Sequence, residues 1–522
     1  MAEVREAPAR LTAVGNFMGL RGIIVCIGLL LAATLALPGR TVTTRYVNDL
    51  FIFLDGSYRI WSGQVPNLDF HSSLGPLVFY LPAAGFGLTG SMGAAMPVGM
   101  AIVVLMLAVV SAEIIGSRMG WMTGLPLSLF LLLIAAAPAN PGERIGELSF
   151  AMFYNRMGWA ALGLLLAMYL PRPSRSTKTD LVDGICASFL VLLMLYTKIT
   201  YGVVQLAFLV FMLFDRHQFR WVLYALLTIV TVPLFIELIW QGGGMYFSDI
   251  RSAAEVSGGL PTLQGLADVV SKNLHDIVVY GIFACILVIA RRRFRDVLYI
   301  VFCATTGLLI IDQNFQFVGI LTLGASAAVI ADLLLRSQLP IKYRTFATGL
   351  PLLLVMQLLP VTFSNAATLG IHAGAAISGN GERISLGNFS GIRLVKMWDE
   401  DQYRYFHLYN ETLADAAAAL WAIETAPRPA VVLDFVNPFS AGMPLPAPEG
   451  DSVWYHWGRT LHGDSYPPAE GLFAHAEFIL DPKAPIEIWT ALGMRTVYAG
   501  YIAQHYTSAA ETKHWRIYRR RR

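Results

Sequence analysis

The sequence predicts a mainly α fold: a polytopic transmembrane helical bundle of about 11–13 helices, carrying a small extracytoplasmic α/β domain at its C-terminal end. Three observations predict it. Of 522 residues, 56% are hydrophobic and only 14% are charged, with a mean hydropathy of +0.56, against about 25% charged in ordinary soluble domains. Apolar runs long enough to approach a bilayer crossing recur between residues 17 and 362, whereas residues 363–522 are polar, rich in Trp, Tyr and His, and lack any such run. The net charge of +3 gives no reason to expect a nucleic-acid partner, and Cys26, Cys186, Cys285 and Cys303 all lie within apolar runs, which excludes a disulfide framework or a cysteine metal cluster.

Taken in order, residues 1–16 form a polar lead with Arg5 and Arg10, expected on the cytoplasmic side. The apolar run that follows to Leu37 lacks a small-residue cleavage pattern and reads as a retained helix rather than a signal peptide. Spans are expected over 17–37, 94–115, 121–138, 157–170, 181–197, 201–214, 221–240, 276–290, 297–311, 317–335 and 345–362. A further stretch, 74–90, is interrupted by Gly75, Pro76, Pro82, Gly85 and Gly87. Basic residues collect in cytoplasmic loops. Arg21, Arg118, Arg172/Arg175/Lys178, Arg216/Arg220, Arg291–Arg295 and Arg336/Lys342/Arg344 all fall on one side only if 74–90 does not cross. That stretch is therefore expected to be re-entrant or interfacial, beside a cavity. The outer segments are then 38–93, 139–156, 198–200, 241–275, 312–316 and 363–522. In the last of these, 399–424 reads as a helix, and "AVVLDF" (430–435), "EFIL" (477–480) and "HWRIYRRR" (514–521) read as strands.

The outer segments carry polar residues that need a reason to sit at membrane depth. They are Asp49, Asp55 and Asp69 in 38–93; Glu143, Glu147, Tyr154, Asn155 and Arg156 in or beside 139–156; Lys198; and Asp312, Gln313 and Asn314. Several have structural readings. Asp55 and Arg59 stand i, i+4 and suit a helix-surface pair, Asp69 suits a turn cap, Glu143 and Arg144 suit a solvated loop, 312–314 suits an interfacial turn, and Lys198 could snorkel to headgroups. Asp49 opens an expected helix with no basic residue at i+3 or i+4, which favours a functional role. A carboxylate can act as general base on a hydroxyl, while Arg and Lys can hold a leaving phosphate, so the set suits group transfer from a lipid phosphate. No phosphate-binding Gly-rich loop ending in Gly-Lys-Ser/Thr and no metal-ligand spacing competes with that reading.

The pattern Asp49, Gly63, Pro66, Asp69-Phe70, Pro76-Leu77 and Tyr80-Leu81 resembles the first outer loop of the polytopic C-type (GT-C) glycosyltransferases. Of these the bacterial family-39-like membrane enzymes, including lipid-A and O-antigen sugar transferases, are the nearest in kind. The protein O-mannosyltransferases and, more distantly, the oligosaccharyltransferase catalytic subunits share the superfamily. The resemblance implies Asp49 as the catalytic aspartate, although Leu50 stands where that aspartate is often followed by glutamate, and Gly75-Pro76 replaces a usual Pro-Pro. It implies a polyprenyl-phosphate-linked sugar donor and a glycan, lipid or protein acceptor, used at the outer face of a bacterial inner membrane, with the C-terminal domain periplasmic. "YNRMGW" and "YTKITYG" resemble further family segments, which would give Arg156 and Lys198 a phosphate-binding role. Some relatives use a divalent metal and others none. No Asp-x-Asp occurs in 139–156, and a metal-free site is expected. Two other readings stay open: a lipid-linked glycan flippase, which would need polar groups at the bilayer midplane, and a non-catalytic scaffold of envelope polysaccharide assembly. In the outer domain, His456, Arg459, His462 and Asp464 lie among aromatics, a mixture that suits either acceptor binding or the domain's own core.

Overall fold

The structure, a computed structural model, describes residues 8–257, 263–314, 316, 319–337, 341–426 and 428–521. The expected N-terminal segment therefore lies outside the described residues as far as position 7. The chain opens with helix α1 (Pro8–Ala36), strand β1 (Thr41–Thr43) and helices α2 (Val47–Trp61), α3 (Leu77–Thr89), α4 (Met92–Arg118), α5 (Trp121–Ala136) and α6 (Phe153–Ala167). It continues through α7 (Thr177–Leu195), α8 (Ile199–Leu213), α9 (Phe219–Trp240), α10 (Gly243–Ser257) and α11 (Leu263–Lys272). Then come α12 (Leu274–Arg291), α13 (Phe294–Gln313), α14 (Leu321–Arg336) and α15 (Ile341–Ser378). The C-terminal domain, expected on the outer side and called the outer domain for that reason, holds β2 (Glu382–Arg383), β3 (Ile392–Leu394), α16 (Glu400–Ile423), β4 (Ala430–Val432), α17 (Phe439–Gly442), α18 (Ala469–Leu472), β5 (Phe478–Pro482), α19 (Ile488–His505), β6 (Tyr506–Glu511) and β7 (Trp515–Arg520).

Every apolar run expected to span lies on a helix. Six of these helices are long and apolar enough to cross a membrane among the described residues, and the chain is a multi-pass helical bundle with a small α/β domain. Helix α3 has 13 residues, about 20 Å at 1.5 Å per residue, short of the ~30 Å hydrocarbon core. It lies against α4, where Gly85 and Gly99 let the two backbones touch: a Cβ on either would meet the other helix's main chain. Helix α15 runs on to Ser378, past the expected end at 362: no proline follows Pro360 within it, Gly370 and Gly374 stay helical, and Gly379 ends it in a left-handed conformation with φ +67°. At the end of the bundle expected to be cytoplasmic, four segments share one ionic network. Asp183 binds Arg118 at 2.5 Å and Arg172 at 2.7 Å, and Glu113 binds Arg172 at 2.5 Å and Arg21 at 3.2 Å. Three of the basic positions assigned to one side by charge alone, Arg21, Arg118 and Arg172, are thus neighbours in space.

The C-terminal domain follows its expected elements and adds several short ones besides helix α19 and strand β6. Its four-stranded sheet has the order β4-β5-β7-β6, with β4 and β5 parallel and the remaining pairs antiparallel. Helix α19 and strand β6 were not legible in advance; α19 supplies the crossover and packs Met494, Tyr498 and Ile502 against the sheet. A second small sheet is formed by β1 of the first outer segment, paired in parallel with β3, which also takes β2. The membrane bundle and the outer domain therefore share a sheet.

Candidate active site

The first outer segment is a folded unit, not a loose loop. Arg59 on α2 donates from Nε to Asp55 at 2.7 Å, from Nη2 to Asp451 at 3.0 Å and from Nη1 to the Pro448 carbonyl at 2.7 Å. All three side chains are buried, so the expected helix-surface pair is instead the centre of an interdomain latch. Asp69 caps its turn as expected, accepting from the Val65 amide at 2.7 Å, and its carbonyl takes the Gly450 amide at 2.7 Å. His71 then exchanges main-chain bonds with Asp451 and Val453. On the other flank Asp249 of α10 accepts from Asn67 at 2.8 Å and the Ser72 amide at 3.1 Å, with His71 Nδ1 at 3.1 Å.

Gly75 is required by a close approach of two chain segments. A Cβ there would collide with the Tyr196 carbonyl oxygen, and the Gly75 and Leu77 amides donate to Thr197 and Tyr196 at 3.0 Å each. Glycine is required because the two chains touch main chain to main chain. The contact fixes 196–197, and hence Lys198, beside the first outer segment.

Three helix N-termini converge there. Asp49 lies in the first turn of α2, after Tyr46 in a left-handed conformation (φ 55°). Tyr154 lies in the first turn of α6, which follows Met152 at φ 48°. Lys198 is the N-cap of α8. Phe53, one turn along α2 from Asp49, packs on Phe153 and Tyr154 with ring centroids 4.9 and 6.2 Å apart. Lys198 Nζ stands 5.4 Å from the Tyr154 ring centroid. Gly158 makes room for the Tyr201 ring, locking α6 to α8. The outer domain completes the group: the turn after Trp457 presents Arg459, whose charge acts on Asp49, Tyr154 and Lys198. Trp457 itself is anchored by its amide to Thr490 Oγ1 at 2.9 Å and lies over Gly493.

Electrostatics follow from this packing. Protein crowds Asp49 while part of its side chain stays accessible. Burial raises its pKa to about 7, Arg459 opposing and Glu143 adding to the rise. Burial, then the Arg459 charge, lowers Lys198 to about 8. Arg459 is itself lowered by burial, with Tyr154 and Asp49 opposing. A carboxylate and an ammonium that both titrate near neutrality, at a meeting of positive helix ends, can exchange a proton with a hydroxyl and hold a phosphate.

The other expected residues take different places. Glu143 is not a solvated loop residue: it faces Arg45 at 3.8 Å and accepts from the Asn140 amide at 3.2 Å, and burial raises its pKa. Glu147 binds Arg45 at 3.0 Å. Arg156 is buried, 1% exposed, with its guanidinium 5.9 Å from the Phe150 ring centroid, and it borders a cavity that neither Asp49 nor Lys198 lines. Asn155 is buried beside it with an unbonded side-chain oxygen. Asp312 and Gln313 end α13, and Asn314 bonds back to the Ile310 carbonyl at 2.9 Å. No group of three metal-ligating residues occurs among the described residues.

No protein-family model matches the chain, and no curated protein matches it. Among solved structures, the crystal structure of the Archaeoglobus fulgidus oligosaccharyltransferase in complex with Zn and sulfate is similar over 88% of this chain and 67% of that one. The identity is 10% and the TM-score 0.28, a likeness too slight to carry a conclusion about fold or function.

Proposed function

We propose that this chain is a membrane glycosyltransferase that moves a sugar from a polyprenyl-phosphate-linked donor to a hydroxyl of a glycan, lipid or protein acceptor at the outer face of a bacterial inner membrane. The observation that carries the reading is the meeting of Asp49, Tyr154, Lys198 and Arg459 at three helix N-termini. Asp49 takes the proton of the acceptor hydroxyl as its oxygen bonds to the anomeric carbon. The bond from that carbon to the donor's phosphate oxygen breaks, and the departing lipid phosphate carries the electron pair. Lys198 and Arg459 neutralise the charge it gains. Tyr154 shapes the floor between base and cation. The pairing of Arg59 with Asp451 keeps the Arg459 turn over the site.

The test is transfer of labelled sugar from polyprenyl-phosphate donors by membranes containing wild type, Asp49→Asn and, as control, Glu255→Gln on the exposed side of α10. At equal folded protein, transfer by wild type and the control with loss in Asp49→Asn is expected. Full activity in Asp49→Asn overturns the mechanism. Failure of wild type with every hexose and pentose donor overturns the reading itself and turns attention to lipid-linked glycan transport or a scaffold.

A further inference from the structure

A cavity of about 280 Å³ lies between the ends of α5, α6, α12 and α14 and the 360–368 stretch of α15, just under the usual range for ligand pockets. It is separate from the proposed reaction centre, since none of Asp49, Tyr154, Lys198 and Arg459 lines it. Its inner wall carries Arg156, 1% exposed, whose three guanidinium nitrogens have no hydrogen-bond partner. A buried guanidinium in that condition forfeits several strong bonds to water, which a ligand can restore. Asn140 on the same wall has a buried side-chain oxygen with no partner. The cavity also holds two acidic groups. Glu143 stands on the Arg156 side, and Asp276 stands at the start of α12, paired with the largely exposed His275 at 3.0 Å. Ser364, Asn365 and Thr368 of α15 add uncharged polar groups.

This charge pattern discriminates between ligands. A simple anion would satisfy Arg156 and be repelled by Glu143 and Asp276; a simple cation would meet the reverse. A ligand with both charges a few bonds apart fits. The source is indicated by the surroundings: α12 and α15 leave most of their apolar surface exposed, and Pro360 and Val361 of α15 form part of the cavity wall. On the expected topology this end of the bundle lies at the membrane surface, where the cavity would meet lipid headgroups. We propose that this cavity binds the headgroup of a zwitterionic phospholipid with a primary ammonium, its phosphate on Arg156 and its ammonium between Glu143 and Asp276. The inference does not rest on the glycosyltransferase reading, because its test does not measure transfer.

The test uses the full chain, purified and stripped of lipid, with binding of phosphatidylethanolamine, phosphatidylglycerol and inorganic phosphate followed by native mass spectrometry. Retention of phosphatidylethanolamine over phosphatidylglycerol is expected. Weakening by about tenfold or more is expected both in Arg156→Gln and in Asp276→Asn, with Arg156→Lys recovering part of the loss. Asp276 lies at the rim, so its variant keeps the test decisive if Arg156→Gln fails to fold. Equal binding of the two lipids, indifference to Asp276→Asn, or saturation by inorganic phosphate alone would each overturn the assignment.

Discussion

Arg59→Met should loosen the outer domain from the membrane bundle. Arg59 is 0% exposed and serves two carboxylates and one carbonyl, at 2.7 Å to Asp55, 3.0 Å to Asp451 and 2.7 Å to Pro448. Methionine fills much of the same volume but leaves Asp55 and Asp451 facing each other without a cation. Breaking a buried pair from one side costs about 3–5 kcal/mol, while removing all its charges together is often neutral. The single variant should therefore lower the thermal midpoint of the detergent-solubilised protein by several degrees and expose the outer domain to limited proteolysis. The triple variant Asp55→Asn, Arg59→Met, Asp451→Asn should recover most of that loss. An Arg59→Met protein with unchanged midpoint and unchanged protease resistance, or a triple variant worse than the single, would refute the reasoning.

Three further outcomes follow from the site. Transfer should follow a bell-shaped pH profile: below about 7 Asp49 is protonated and cannot act as base, and above about 8 Lys198 loses its charge, so kcat should peak between the two. Asp49→Asn should lower kcat by about 10²–10⁴ and remove the acid limb, checked by transfer assays across pH. Gly75→Ala should displace the main chain at 196–197 and with it Lys198, raising KM for the donor and lowering the thermal midpoint, because the added Cβ meets main chain rather than a movable side chain.

Local chemistry made much of this legible from sequence. Apolar runs of near-spanning length become helices because the backbone must satisfy its own hydrogen bonds in lipid, and the positions of Arg and Lys ordered the loops into two faces. The capping role of Asp69, the i, i+4 pairing of Asp55 with Arg59, the helix opening at Asp49 and the strands at 430, 478 and 515 are all set by residues within a few positions of one another. Helix α19, 18 residues long, was missed because Gly493, Gly500 and the pair Thr496-Val497 weaken its intrinsic helix preference, which the packing of Met494, Tyr498 and Ile502 on the sheet overrides.

What the sequence by itself determined was the multi-pass helical architecture with a small C-terminal α/β region, and a short set of polar residues to consider for a site. The tertiary structure decided which of them meet. It brought Asp49, Tyr154, Lys198 and Arg459 together from four distant segments. It turned the Asp55–Arg59 pair inward onto Asp451, and it set Arg156 across Glu143 in a cavity of its own. Helix formation depends on neighbours in the chain, whereas burial, charge coupling and cavity shape depend on packing between segments hundreds of residues apart, a relation that no local pattern of residues encodes.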